Sequence, residues 1–370
     1  MRIAIDHQIF TIQEYGGVSR YFCSLARQLA GIEGVEVSII APFYINAYLK
    51  NLPRGVVSGI KIPRIPKTGE LFQLGGLWLA HRTIGRLAPQ IVHETYYTKN
   101  HAAPKNVRTV LTVYDMIHER FRSMFPPLDR TSELKRAAVL HADHVICISE
   151  NTRHDLLDLL PISSDKVSVV YLGFDQFVLN SKYSNTKSLI KETPYLLYVG
   201  ERGGYKNFKG LLQTYSSSNW LRQNFCVICF GGGPLNRDEH ALINRLKISP
   251  NAIQHVTGGD DVLAGLYASA SIFVYPSLYE GFGIPPLEAM SLSCPVACSN
   301  TSSIPEVTGV AAELFDPTDH TAMREAIERV LSSPDHASNL IAKGHERIKQ
   351  FTWDKCAQAT LDIYRKILQG

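Results

Sequence analysis

Short apolar runs of strand character alternate with segments of helical periodicity, and the alternation runs twice along the chain. In the first half the runs are RIAID, VEVSII, IVHET, TVLTVYD, HVICIS and VSVVYL, with helical patterns such as Ser19–Ala30 and Thr131–Ala142 between them. In the second half PYLLYVG, FCVICFGG, IQHVTG, SIFVYPS and PVACSN alternate with helical patterns over Lys209–Ser216, Val262–Ala270 and Leu287–Leu292. Strands separated by helices read as βαβ units, so the pattern predicts two α/β domains, each a doubly wound parallel sheet. The length of 370 residues suits two cores better than one. The polar, irregular stretch Gly173–Pro194 reads as the linker. The expected division is an N-terminal Rossmann-like domain over 1–173, a linker over 174–194, a second Rossmann-like domain over 195–351, and a terminal helix within 352–370 that returns toward the first domain. Ligands of such sheets bind at the carboxyl ends of the strands, so the two crevices are expected to face each other across a cleft.

Apolar residues make up 45% and charged residues 19%, an ordinary globular balance. No stretch of about 20 residues is free of charge and breakers, so no membrane-spanning helix is expected. The start, MRIAIDHQIF, is a short apolar run broken by Asp6 and His7, which reads as a first strand and not a signal peptide. The seven cysteines are scattered; Cys226 and Cys229 have C-x-x-C spacing, but positions three apart on a strand face opposite sides. Cys294 and Cys298 lack a second pair. Small buried hydrophobes in a reducing compartment are expected, hence a cytoplasmic protein without structural zinc. The net charge of +4 is unevenly spread. Between Lys50 and Gln90 stand Lys50, Arg54, Lys61, Arg64, Lys67, Arg82 and Arg86 against Glu70 alone, interleaved with Phe72, Leu74, Leu77, Trp78 and Leu79. Such a segment is either a solvated face whose basic stems cover apolar surface, or a patch for an anionic membrane or a phosphate-bearing acceptor. No nucleic-acid module accompanies the charge, so no nucleic-acid partner is expected.

Three segments carry chemistry. PSLYEGFGIPPLEAM, Pro276–Met290, sets Glu280 and Glu288 at the two ends of a glycine turn that leads into a helix. Glycines permit close backbone approach, amides at a helix start can meet an anion or a sugar hydroxyl, and each carboxylate can accept hydrogen bonds from a diol. Acids that merely favour a helix N-terminus would give the same spacing. YVGERGGYKNF, Tyr198–Phe208, places Arg202 and Lys206 in a turn between strand and helix, where they can neutralise a pyrophosphate. Tyr15-Gly16-Gly17 precedes the first long helix, where paired glycines suit approach to phosphate or sugar. Gly231–Gly233 in FGGGP reads as a tight strand-to-helix turn.

The Pro276–Met290 segment resembles the E-x7-E signature of family-4 glycosyltransferases, which have the GT-B fold. The resemblance runs over essentially the whole chain, through YGGVSRY, VICISENTRHDL, VSVVYLGFD, YVGERGGYKN, FGGGP, SIPEVTGVAA and the terminal FTWDKCAQATLDIYRKIL, in the family's order. It implies that Glu280 contacts the donor sugar and the reacting face, that Glu288 holds the ribose hydroxyls, and that the amides of Gly281, Phe282, Gly283 and Ile284 line sugar and phosphate. It implies that Arg202 and Lys206 hold the diphosphate and that Gly16 and Gly17 reach the donor phosphate from the first domain. Many relatives have a histidine where this sequence has Tyr114, so that carry-over fails. His118, with Asp115 beside it, is the replacement candidate, and His93 a third; a lone histidine is as readily a structural hydrogen-bonder.

The resemblance further implies transfer with retention of configuration, by front-face attack in which the leaving phosphate helps deprotonate the acceptor. No cofactor and no metal are expected: there is no Asp-x-Asp pair, and Asp260 and Asp261 are adjacent. The donor is a nucleotide sugar, GDP-mannose first and a UDP-sugar next. The acceptor is a glycan or a polyprenyl-diphosphate-linked glycan, met at the inner face of an anionic membrane. The rival expectation is a non-catalytic sugar-binding or scaffold subunit of a polysaccharide assembly complex.

Overall fold

The computed structural model describes residues 1–63, 69–176 and 193–369, apart from the side chains of 69–74. The chain divides into two compact units, 1–173 together with 351–370, and 174–350. Of the linker, residues 174–176 and 193–194 are described; 177–192 lie outside the described residues.

The first unit is built on strands β1 (Arg2–Ile5), β2 (Glu36–Tyr44), β3 (Val57–Lys61), β4 (Ile91–Glu94), β5 (Arg108–Val113), β6 (His144–Cys147) and β7 (Val167–Val169). All pair in parallel, in the order β3-β2-β1-β4-β5-β6-β7. The second unit holds β8 (Tyr195–Val199), β9 (Cys226–Phe230), β10 (Ile253–Val256), β11 (Ile272–Tyr275), β12 (Val296–Ser299) and β13 (Glu313–Phe315). These too are parallel, ordered β10-β9-β8-β11-β12-β13. Parallel strands need crossover helices on their faces, which bury both sides and explain the continuous apolar runs. In the second unit Tyr198 and Val274 of the sheet pack with Phe208 and Leu211 of the helix Phe208–Ser217. In each sheet the strand order reverses beside the first strand, between β1 and β4 and between β8 and β11. Such a reversal opens a crevice at the carboxyl ends of the strands.

The sequence pattern left β3 and β13 unmarked. Both are sheet edges, and β3 is largely exposed, so it carries no apolar signal. Its Gly59 has a fold reason: a Cβ there would lie 1.6 Å from the Ala41 carbonyl, where the pairing with β2 slips between Ile40 and Phe43. The terminal helix, Trp353–Gln369, packs within the first unit, burying Cys356, Leu361 and Tyr364. All seven cysteines are buried and unbridged.

Candidate functional site

The second crevice is built from the loops that follow β8 and β11. The β8 loop turns through Gly200, Gly204 and Asn207, all at positive φ, and delivers Lys206 at its end. The β11 loop carries Glu280 and ends at Gly283, whose φ of 117° lets the chain enter the helix Ile284–Ser291 with Pro285 and Pro286 in its first turn. The Lys206 ammonium stands 2.7 Å from a Glu280 carboxylate oxygen, with both side chains only slightly exposed. Lys206 also lies over the rings of Tyr205 and Tyr275, and Tyr275 is hydrogen-bonded to Glu280. Burial first, and then the Glu280 charge, push the Tyr275 hydroxyl well above its ordinary value, so it stays a donor to the carboxylate.

Backbone ties make this arrangement rigid. The Leu278 N–H donates to the Tyr205 carbonyl at 2.7 Å, joining the two loops. Asn207 Nδ2 donates to the carbonyls of Pro276 and Pro317 at 3.1 and 2.9 Å. The Glu280 N–H donates to Ser302 Oγ at 3.0 Å, while the Ser303 hydroxyl lies 2.8 and 2.7 Å from the carbonyls of Glu280 and Phe282. Gly281 and Phe282 are buried in the turn between. Glu288 sits one helical turn further, half-buried, accepting from the Tyr267 hydroxyl at 3.2 Å.

Arg202 is placed differently from the expectation that it would hold a diphosphate. It is 8% exposed, and its guanidinium is committed to protein acceptors. Nε donates to Glu239 at 2.8 Å, and the terminal nitrogens donate to the carbonyls of Gly231, Gly232, Gly233 and Pro234 at 2.6–3.2 Å. Three successive glycines at positive φ turn their carbonyls inward onto one planar fork. Arg202 therefore shapes the FGGGP turn, and Glu239 balances its charge. Nothing in the spacing of Arg202 and Lys206 separates the clamp from the cation paired with Glu280; Glu239, 37 residues along the chain from Arg202, makes the difference.

In the first unit Gly16 is the extended N-cap residue of the helix Gly17–Leu29, and a Cβ on Gly17 would meet nothing within 4 Å. The fold itself does not demand glycine at 17. Tyr114 is buried, its hydroxyl donating to the Thr95 carbonyl at 3.1 Å. His93 is not a site residue: it is fully buried, held at Nδ1 by the Tyr364 hydroxyl (2.5 Å) and at Nε2 by the Thr112 hydroxyl (2.8 Å), and burial lowers its pKa to about 3. His118, in the short helix Ile117–Arg120, stacks on Phe125 with ring centroids 4.0 Å apart and stands 3.9 Å from Asp129. Asp115 accepts from the Ile117 N–H at 3.0 Å and faces the buried Lys135 at 3.6 Å. The two thus turn to separate partners.

The crevice beside β1 and β4 holds a recess of about 460 Å³, lined in part by His7, Gln8, Thr11, Tyr96, Thr98 and Asn100. Asp6 fastens its floor by accepting from the backbone N–H and hydroxyl of Thr95 and from Gln8. His7 is buried and its Nδ1 has no partner among the described residues. Burial, opposed by the Asp6 charge, lowers the pKa of His7, so the ring enters the recess neutral. No spacing in the sequence marks this recess; adjacency of β1 and β4 makes it.

Residues 15–176 match the family model described as Glycosyltransferase Family 4, and 180–347 match that described as Glycosyl transferases group 1. Together they account for most of the chain, which belongs to these GT-B glycosyltransferases. Among its relatives, O-antigen chain mannosyltransferase B of Escherichia coli is 28% identical over 282 residues, 73% of this chain and 74% of that one. Alpha-maltose-1-phosphate synthase of Mycolicibacterium smegmatis is 26% identical over 99% of this chain and 100% of that one. The solved sucrose-phosphate synthase of Thermosynechococcus elongatus shares the fold with a TM-score of 0.75 at 19% identity, covering 100% of this chain and 99% of that one.

Proposed function

We propose that this glycosyltransferase moves mannose from GDP-mannose to a glycan or lipid-linked glycan acceptor, with retention of configuration. The observation that carries the reading is the Lys206–Glu280 pair at the reversal of the second sheet, with Glu288 in the helix that follows. A bound nucleoside diphosphate takes over Lys206, which frees the Glu280 carboxylate for the hydroxyls of the sugar. The N–H groups of Gly281–Ile284 meet sugar and phosphate, and Glu288 accepts from the ribose diol. As the glycosidic bond breaks, negative charge grows on the leaving phosphate, and a fixed ammonium stabilises that state more than the ground state. The same phosphate, on the face the acceptor approaches, accepts the acceptor's hydroxyl proton, so retention needs no enzymic nucleophile and Lys206 supplies the cationic charge in place of a metal. Arg202 contributes through the turn it clamps. Mannose is favoured because the E. coli O-antigen relative is a mannosyltransferase.

The first unit offers the acceptor the recess at His7 and Tyr96, and Gly16 and Gly17 offer open backbone to a donor phosphate. His118 orients the acceptor with its part-exposed imidazole, and Asp115 shapes the turn that carries it. No helix of the described residues is long and apolar enough to cross a membrane. Peripheral contact from the cytoplasmic side is supported by Trp78, 61% exposed under Arg82 (5.6 Å), and by the exposed Lys50, Arg54, Lys61 and Arg86. Arg64 and Lys67, and the side chains of Phe72 and Leu74, lie outside the described residues, while Leu77 and Leu79 are half-buried.

The test is a thermal-shift screen with GDP, UDP, ADP and their sugars, followed by NMR of the product anomer. Stabilisation by GDP and an α-linked product from α-linked GDP-mannose are expected. An inverted anomer ends the retaining mechanism, and a preference for UDP or ADP ends the donor assignment.

A further inference from the structure

The loop after β4 starts at Glu94 and returns to the body of the first unit at His101. Against it lies His141, the last residue of the helix Thr131–His141. Each of the three offers a ligand atom, and these atoms lie within 4.8 Å of one another. The His101 and His141 rings are stacked, with centroids 3.5 Å apart and planes at 17°. His101 Nδ1 is 2.7 Å from Glu94 Oε1, and the Glu94 side chain is 1% exposed. Its other oxygen, Oε2, is buried with no hydrogen-bond partner among the described residues. The charges that act on this carboxyl besides His101 are those of Asp6 and Asp143, both acidic. A buried carboxylate oxygen with no donor and acidic neighbours is costly; a cation bound there removes the cost.

We propose that Glu94, His101 and His141 form a binding site for one zinc ion, distinct from the donor crevice. Two imidazoles and one carboxylate are a borderline-soft set that suits zinc and leaves a fourth position for water. Tetrahedral bonds of about 2.1 Å put ligand atoms about 3.4 Å apart, so an ion draws in atoms that now lie within 4.8 Å of one another and turns the stacked rings out of parallel to aim both nitrogens at it. Glu94 is sealed inside and His141 is exposed, so the ion enters from the surface side. The ion ties both ends of the 95–100 loop to the end of the helix Thr131–His141. That loop supplies Tyr96, Tyr97, Thr98 and Asn100 to the recess, so zinc holds the wall of the recess in place.

The experiment uses the full chain without a histidine tag, dialysed against chelator and then titrated with zinc chloride, with magnesium chloride as control. Bound metal is read by elemental analysis after gel filtration, and the melting temperature is followed. One zinc per chain, a rise in melting temperature with zinc and none with magnesium are expected. H141A, a surface change that leaves the fold intact, weakens zinc binding at least about tenfold, and E94Q does the same. The proposal falls if the wild-type chain retains no zinc or shows no zinc-specific shift, or if H141A and an H101A/H141A variant retain as much zinc as wild type.

Discussion

The two sheets reverse their strand order at equivalent places, yet the crevices that result have opposite characters. Beside β8 and β11 the lining is charged and pre-paired, with Lys206 on Glu280 and the two loops tied through Asn207 and Ser302. Beside β1 and β4 it is mostly uncharged, with His7 neutral and Tyr96, Thr98 and Asn100 around an open recess. A phosphate-bearing ligand needs fixed charge, because organising dipoles at the moment of reaction would cost the energy that catalysis saves. An uncharged acceptor hydroxyl needs shape and adaptable hydrogen bonds. On the proposed reading the same topology serves both, because the sheet sets only where the loops meet, and the loop residues set what they do.

The comparison breaks first at Glu280. E280A is expected to lower kcat about 100- to 1000-fold while leaving the melting temperature close to that of the parent, as loss of a transition-state contact does; near-normal turnover would remove Glu280 from the reacting centre. R202A tests the clamp. Removing the guanidinium takes a donor from four carbonyls and the ion-pair partner from Glu239, so a fall in melting temperature of several degrees is expected, as for other broken buried ion pairs. R202K is expected to restore little, since one ammonium cannot reach the acceptors of a planar fork. A variant as stable as wild type that binds nucleoside diphosphate weakly would instead put Arg202 on the ligand.

Smaller effects follow for the donor contacts. K206A and E288A are each expected to weaken the free nucleoside diphosphate about tenfold, in line with loss of one charge-assisted hydrogen bond, measured by calorimetry. Unchanged affinity in both places the nucleotide elsewhere. Acid separates the two units: His93 takes up a proton near pH 6.5 when unfolded but only near about 3 when folded. The unfolded chain therefore binds the extra proton between those values, and stability falls as pH drops below about 6.5. H93N, though less stable at neutral pH, is expected to flatten that slope in the unfolding of the first unit; an unchanged slope assigns acid sensitivity to other groups. The smallest effect concerns the basic segment. Each cation near an anionic surface is worth about 1 kcal/mol, so reversing Lys61, Arg64 and Lys67 to glutamate should release the protein from anionic vesicles at low salt and leave turnover on soluble acceptors unchanged. Equal sedimentation with neutral and anionic vesicles counts against membrane contact.

Two parallel sheets were legible because buried parallel strands are apolar on both faces, and the runs from RIAID to PVACSN stand out against polar loops. That Lys206, Glu280 and Glu288 follow the carboxyl ends of β8 and β11 was legible because the strand runs before them are apolar and the segments stand in the family's order. Local sequence also placed Gly283 before its proline-led helix. What tertiary structure alone decided depends on partners far along the chain. Arg202 became a clamp because Glu239 and the Gly231–Pro234 carbonyls converge on it. His93 became a neutral core residue because Tyr364, 271 positions away, closes over it. Glu94, His101 and His141 met because the fold sets the segment after β4 against the end of the helix Thr131–His141. A side chain's charge state and duty follow from burial and from the groups facing it, and neither quantity is local in sequence.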